Sequence, residues 1–453
     1  MSASARLRPW WPLALLALLY VALRVSAFAG VTTLDYRDSE SYLEVASQSL
    51  LSLDFWAGGR PWTVPLLYKL LPDSDQARAI GQFVLSVGCW LALALAVARC
   101  VRPRAYQTFA FAAVLAFSLS FPVIRWDRLI LSESVSISLT VAVAAAWLEL
   151  ARSPRRSMVV AVLAVSLPWV FTRDSNGLLA LLTAAPALVW LVRPGDTDRR
   201  WPALLTAGLV VIFALNVAAT TTQEAQLRRN ERPMLHVVGR RVLVNDYQQR
   251  YFQRHGMPRP PPRVARYRKK LAAIGDTIPS DPATDRFLVW VREHGRVTLA
   301  RYLLEHPIAT VRPVIKYRKR LLGGVTEGYR SPDARQVLPE PLASAVYPHR
   351  VASVLRWLAL AGALAAVVAV TIGAAWTWLV PLGLIALQLP HALLVYHGDT
   401  LEIPRHAILV AVSLRLGTLL LALLAAGRLV QWLVDRRRDR RFDSIVEGFD
   451  RPG

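Results

Sequence analysis

The feature that most constrains this chain is a series of unbroken apolar runs, each near bilayer length, separated by short gaps that carry arginine. A hydrocarbon core about 30 Å thick needs about 20 apolar residues per helix, with every backbone amide paired inside the segment. Barrel strands would instead give about ten-residue alternations. The pattern predicts an all-α polytopic membrane protein and excludes a soluble enzyme, a collagen-like rod and a disordered scaffold. Ten spans are expected, at 10–29, 80–99, 106–124, 134–150, 158–172, 177–192, 202–220, 352–371, 374–395 and 406–427.

Orientation follows from the arginines of the short loops. Arg6 and Arg8, then Arg99, Arg102 and Arg104, then Arg152, Arg155 and Arg156, then Arg193, Arg199 and Arg200, all fall on one side. The tail DRRRDRR (435–441) joins them, so both termini are expected in the cytoplasm. The loops 30–78 and 221–350 then lie outside. The second is itself basic, but loops of that length cross largely regardless of charge. The 371–375 connection carries no Lys or Arg, which leaves the 352–395 hairpin no charge of its own to orient it. Arg6, Arg8 and Ala27-Phe28-Ala29 imitate a signal peptide, but Arg24 interrupts the apolar stretch and argues against cleavage. Cys89 and Cys100 fall in one predicted helix, too far apart along it to bridge. The expected divisions are a membrane module at 1–220 that includes the 30–78 loop, a mainly helical basic insertion at 221–350, further spans at 351–433 and a basic tail at 434–453.

The first outer loop is the most informative. It gathers Asp35, Asp38 and Glu40 just beyond the first span. Asp38-Ser39 can cap a surface helix whose apolar stripe is Tyr42, Leu43, Val45, Ala46 and Leu50. Gly58-Gly59-Arg60-Pro61 then turns the chain back. One reading makes Asp38 a helix cap on a solvated face. The other uses chemistry: a carboxylate beside a cation at a membrane surface suits transfer from a lipid phosphate. The carboxylate would take the acceptor's proton and Arg60 would balance the leaving phosphate.

The stretch D-S-x-S-Y-L-x-x-A…G-x-R-P-x-x-x-P-L-L resembles the first outer loop of C-type glycosyltransferases, the polytopic enzymes that use polyprenyl-phosphate sugars and include protein mannosyltransferases and aminoarabinose transferases. Leu131-Ser132-Glu133-Ser134-Val135 is similar to that family's helix opening after the second outer loop. Glu402-Ile403-Pro404-Arg405-His406 is similar to its late "E/D-x-R-Y", with His406 where the family has tyrosine. The resemblance implies Asp38 as base, with Asp35 and Glu40 as alternatives, and Arg60 and Arg405 at the donor phosphate. It implies Asp127 or Glu133 as a second acid near the acceptor or a metal.

Other polar residues on the same side have double readings. Trp126-Asp127-Arg128 is either an interfacial anchor with a surface ion pair or part of the site. Arg173-Asp174-Ser175-Asn176 either reverses the chain or brings Arg173 to a headgroup, and His397, Glu402 and Arg405 pose the same choice. The eight histidines show no metal-binding spacing, although some relatives use divalent cations, so a metal is left open. No P-loop, nucleophile elbow or zinc pattern occurs.

In the insertion, PRPPPR (258–263) is a stiff break before a basic helix, RVARYRKKL (263–271). A second helical region is expected over 285–321, with breaks at Pro307 and Pro313 and apolar positions Phe287, Leu288, Trp290, Leu299, Tyr302 and Leu303. Its partners are better sought among anionic headgroups or an envelope acceptor than nucleic acid. Only five of the 54 basic residues are lysine, a bias that points to a GC-rich, hence bacterial, genome. The expectation is an inner-membrane enzyme moving sugar from a polyprenyl-monophosphate donor to an extracytoplasmic glycan, lipid or protein hydroxyl, with inversion. A transporter or flippase, or an inactive envelope scaffold, would also show ten spans. A transporter would not need the acidic surface loop, and the chain lacks the paired halves transporters often show.

Overall fold

A computed structural model describes residues 10–191, 199–227, 231–266, 282–323, 329–398 and 400–449. Arg6, Arg8, Arg193, Asp399 and the end of the expected 263–271 helix lie outside them. Helix α1 spans Trp11–Phe28. The following loop folds into α2 (Arg37–Ser47) and α3 (Thr63–Lys69). Then come α4 (Asp75–Cys100), α5 (Arg104–Ser118), α6 (Ser132–Arg152), α7 (Arg156–Val170), α8 (Ser175–Leu191) and α9 (Arg200–Leu227). The insertion contributes α10 (Asp246–Arg254), α11 (Pro282–Glu305) and α12 (Pro307–Lys316). The chain closes with α13 (Val351–Ile372), α14 (Leu379–Ala386), α15 (Gln388–Gly398) and α16 (Ile408–Phe449).

Every expected span is occupied by apolar helix, but not every one has bilayer length. Seven helices among the described residues are long and apolar enough to cross, or eight with one bent pair. The bent pair is α5 and Phe121–Arg128, which meet at 58°. Ser120 is extended there, and Pro122 opens the next turn, where its missing amide costs nothing. The expected spans at 158–172 and 177–192 are α7 and α8, of 15 and 17 residues. At 1.5 Å per residue, 15 residues reach about 22 Å. The polar turn at 172–174 closes α7 and opens α8 as a short hairpin. Cys89 and Cys100 are both free thiols on α4.

The core forms around α16. Leu409, Leu416 and Leu420 pack with Trp90 and Leu93 of α4, Phe117 of α5 and Leu148 of α6. Lipid-facing leucines and valines ring the outside, notably on α1 and α13. Arg415 is the exception inside α16. Its guanidinium donates to Pro348 O at 2.9 Å and Leu322 O at 2.7 Å, and lies 4.5 Å from the Tyr347 ring. A buried charge thus ties both ends of the insertion's last segment to the bundle.

The insertion has its own apolar cluster. Phe287, Trp290 and Tyr302 of α11 pack on Met234, Val238 and Phe252, with Leu288, Leu299 and Leu303 at its margin. All six expected apolar positions therefore face one cluster. The break at Pro307 occurs as expected. Pro313 instead lies inside α12, and the next break comes at Tyr317.

Candidate active site

Two loops are zipped together at one end of the bundle. Leu34 N–H donates to Arg128 O at 3.0 Å, and Ile130 N–H donates to Leu34 O at 3.0 Å, a single parallel bridge pair. The start of α2 is thereby set against the start of α6. Helix α2 begins at Arg37 with Tyr36 as its N-cap residue. Ser39, rather than Asp38, does the capping. Tyr36 N–H donates to Ser39 Oγ at 2.8 Å, and the Ser39 hydroxyl donates to Ile130 O at 2.6 Å. The expected cap at Asp38 is corrected: the N-cap falls two residues earlier, at Tyr36, and Asp38 sits in the first turn with both carboxylate oxygens available elsewhere.

They are taken by two arginines. Asp38 Oδ1 accepts from Arg60 Nη2 at 2.9 Å, and Oδ2 accepts from Arg405 Nη1 at 2.7 Å. Arg60 is presented by the turn before α3, where a Cβ on Gly58 would stand 1.9 Å from Asp54 O, so only glycine fits. Its Nε donates to Ser41 Oγ at 2.7 Å, and its guanidinium lies 4.8 Å from the Tyr42 ring. Ser41 and Tyr42 follow Asp38 on α2, so one helical turn supplies the carboxylate and orients its cation.

Arg405 sits in a short turn, Ile403–His406, just before α16. It bridges three carboxylates: Nε donates to Glu133 Oε1 at 2.8 Å, and Nη1 reaches both Asp38 and Glu402 Oε2, the latter at 2.7 Å. Glu133, at the start of α6, also accepts from Arg173 Nη2. Tyr329 completes the cluster from the insertion. Its hydroxyl donates to Glu402 Oε1, its ring lies 4.9 Å from the Arg405 guanidinium, and it packs on Tyr36 and Trp126.

Burial grades across this network. The Glu133 side chain is wholly buried, Arg405 is 4% exposed, and Asp38 is 34% exposed. The partly open members are Glu402, 41% exposed, and the Asp38–Arg60 pair, with Arg60 at 23%. Burial alone would push the Asp38 carboxyl up, but Arg60 and Arg405 outweigh it and hold it below the usual carboxylate range. Asp38 is thus ionised at neutral pH. Burial and the Glu402 hydrogen bond push the Tyr329 hydroxyl up to about 12, so it remains a donor.

The network brings together Asp38, Arg60, Glu133, Arg173, Glu402 and Arg405, all singled out from sequence. It leaves others out. Asp35 and Glu40 are exposed and outside it. Asp127 is buried and paired with Arg24 of α1 at 2.6 Å, with Ser134 donating to its other oxygen at 2.6 Å. That pairing, not an exposed acid, is what the Trp126-Asp127-Arg128 segment provides. His397 is buried on α15, with Nε2 3.0 Å from Thr310 O of α12, which joins insertion to bundle. Tyr329 was not foreseen, since a lone tyrosine in a long loop carries no local signal.

The three carboxylates are separated by guanidiniums rather than gathered around a common point. Among the described residues no three His, Cys, Asp or Glu side chains assemble that could hold a metal ion. This donor set does not fit a divalent cation.

Beside the cluster an apolar groove of about 350 Å³ runs between α6, α8, α14, α15 and α16. Its walls include Trp147, Trp169, Trp190, Trp376, Leu384 and Leu387. It reaches Asn176, in the turn that Arg173 opens, where Asn176 N–H donates to Arg173 O at 3.0 Å.

No protein-family model and no curated protein matches the chain. Among solved structures it is similar to the Archaeoglobus fulgidus oligosaccharyltransferase in the apo form, at 12% identity and a TM-score of 0.46, over 98% of this chain and 53% of that one. It is also similar to the oligosaccharyltransferase AglB from the same organism in complex with an inhibitory peptide and a dolichol-phosphate, at 12% identity and 0.47, over 99% and 53%. A third is that enzyme tethered to an acceptor peptide containing the NVT sequon, at 12% and 0.43, over 92% and 50%. The chain spans about half the length of these archaeal proteins.

Proposed function

We propose that the chain is a membrane glycosyltransferase that moves a sugar from a polyprenyl-monophosphate donor to a hydroxyl of a glycan, lipid or protein acceptor outside the cytoplasm. The observation that carries this reading is the shared Asp38. One carboxylate, ionised and partly open, is held between two guanidiniums, in a network whose far member, Arg173, adjoins an apolar groove at Asn176. Arg60 and Arg405 neutralise the donor phosphate, and the groove takes the lipid chain.

The residues then divide the work. A phosphate at Arg60 and Arg405 competes for the guanidiniums that depress the Asp38 pKa, so donor binding itself makes Asp38 a stronger base. Asp38 takes the proton from the acceptor hydroxyl as its oxygen attacks the anomeric carbon. The bond from that carbon to the phosphate oxygen breaks, and the phosphate leaves with its electron pair onto the two arginines. One displacement inverts the anomeric centre. Glu133 and Glu402 hold Arg405 in place, and Arg173 holds Glu133.

The test is Asp38→Asn. Ser39 caps α2, so the variant folds. Without a proton acceptor, transfer from polyprenyl-phosphate sugar falls about 10²–10⁴-fold while donor binding persists. Asp35→Asn and Glu40→Gln stay active. Full activity in all three variants contradicts the mechanism, and loss in one of the controls alone moves the base there.

The same reading places the cluster on the outer face of a bacterial inner membrane with both termini inside. A single cysteine replacing exposed Ser344, in a chain without Cys89 and Cys100, should react with an impermeant reagent on intact cells. Reaction only after permeabilisation reverses the orientation.

A further inference from the structure

Helix α12 has two unlike faces. Thr310 and Val314 are buried. Thr310 O lies 3.0 Å from His397 Nε2 of α15, and Val314 clusters with Ala392, Val395 and Tyr396 of the same helix. Those α15 residues close the apolar stretch Trp376–Gly398, which is long enough to cross a membrane. Helix α12 therefore lies alongside the last turns of a span, where hydrocarbon gives way to headgroups. Tyr317, just past its end, packs on Tyr396 with ring centroids 5.2 Å apart, and paired tyrosines suit that depth.

The other face has nothing on it. Ile308 is 80% exposed and Ile315 is 56% exposed. Being seven positions apart, they lie two turns apart on one side of the helix, with Arg312 between them. From His306 to Thr326 the chain carries five cations, Arg312, Lys316, Arg318, Lys319 and Arg320, and no Asp or Glu. All five are exposed. An apolar stripe flanked by unopposed cations, held at the edge of a span, matches an anionic bilayer surface. A water-soluble partner would have to reach Ile308 and Ile315 beside the lipid.

We propose that α12 is an interfacial helix that docks the insertion on anionic phospholipids. Ile308 and Ile315 enter the acyl chains, Arg312 reaches up from between them, and Lys316, Lys319 and Arg320 meet lipid phosphates. The short helix Arg318–Leu322 also packs on the turn Ile403–His406, with Leu321 and Ile403 in one cluster. That turn presents Arg405. On the donor reading above, the same basic face gathers an anionic lipid beside the arginine that receives its phosphate. The docking itself does not depend on that reading.

The test uses the full chain without Cys89 and Cys100, in nanodiscs of mixed phosphatidylcholine and phosphatidylglycerol, with an NBD fluorophore on one cysteine. Ile308→Cys and Ile315→Cys carry the label in turn, and Val367→Cys, exposed on α13, is the lipid-facing standard. A doxyl group on the lipid chain should quench at 308 and 315 as it does at 367, and iodide in the water should quench little. At equal content, doxyl phosphatidylglycerol should quench the label at 308 more than doxyl phosphatidylcholine. Lys316→Gln, Lys319→Gln and Arg320→Gln should each lower that relative affinity, by roughly fivefold per engaged cation. An unchanged response at 367 certifies that these variants are folded. Quenching at 308 and 315 by iodide and not by doxyl lipid overturns the docking. Protection from both quenchers does so too, since it marks a protein surface such as a second copy of the chain. Equal quenching by the two lipids overturns the anionic preference. Only bilayer lipids are used, so each of these failures leaves the donor reading where it stands.

Discussion

Two aspartates, each paired with arginine, mark this molecule, and their surroundings differ. Asp127 is buried with Arg24 in a closed set: Arg24 also donates to Ser86 Oγ at 2.7 Å and Ser118 O at 3.3 Å, and Ser134 fills the remaining side of the carboxylate. Asp38 is shared between Arg60 and Arg405 and stands about a third exposed. The first arrangement borders a cavity of only about 20 Å³, room for a water, and holds α1, α4 and the second loop together. The second has its cations on separate elements and one open side. The comparison teaches that ion pairing alone does not mark a site. What marks it is a carboxylate whose partners can be taken by something else.

The two clusters should therefore fail differently. Asp127→Ala leaves the Arg24 charge buried without a counter-ion, at a cost of about 3–5 kcal/mol, seen as a large fall in melting temperature and in folded yield. Asp38→Asn should barely move the melting temperature, since its ion pairs are partly screened by solvent, while removing transfer. A destabilised Asp38 variant with a stable Asp127 variant would erase the distinction.

A smaller effect is expected at Arg60. Arg60→Ala removes a charge-assisted hydrogen bond to phosphate worth roughly 1.5–3 kcal/mol, about tenfold to two-hundredfold in rate, in a folded protein. Arg60→Lys should recover part of the rate and Arg60→Gln little. Rates equal to wild type in all three would reduce Arg60 to a residue of the Gly58–Pro61 turn.

Much of this was legible in the chain. Long apolar runs specify helices because unpaired amides are forbidden in hydrocarbon, and each expected run is helical. Asp38, Arg60, Glu133 and Arg405 stood out as charges at the edges of apolar runs. Their partners were not legible. Arg405 meets Asp38 across 367 positions and Arg24 meets Asp127 across 103, and no local periodicity encodes such a pairing. Asp127 and Asp38 consequently looked alike in sequence. The cap was misplaced because aspartate and serine both cap well, and only the contact with Ile130 decides between them. The bounds of α7 and α8 fell within two residues of expectation, but apolar composition did not disclose that helices this short fall below the length that crosses a bilayer straight.

The most direct measurement is a cryo-electron microscopy map of the full chain in nanodiscs with polyprenyl phosphate. The phosphate should lie within hydrogen-bonding distance of both Arg60 and Arg405, with Arg60 drawn off Asp38 and the chain lying along the groove walled by Trp147 and Trp169. A phosphate bound elsewhere, with the Asp38–Arg60 and Asp38–Arg405 pairs intact, or a lipid in a continuous path through the bundle, would contradict the transferase reading and favour transport.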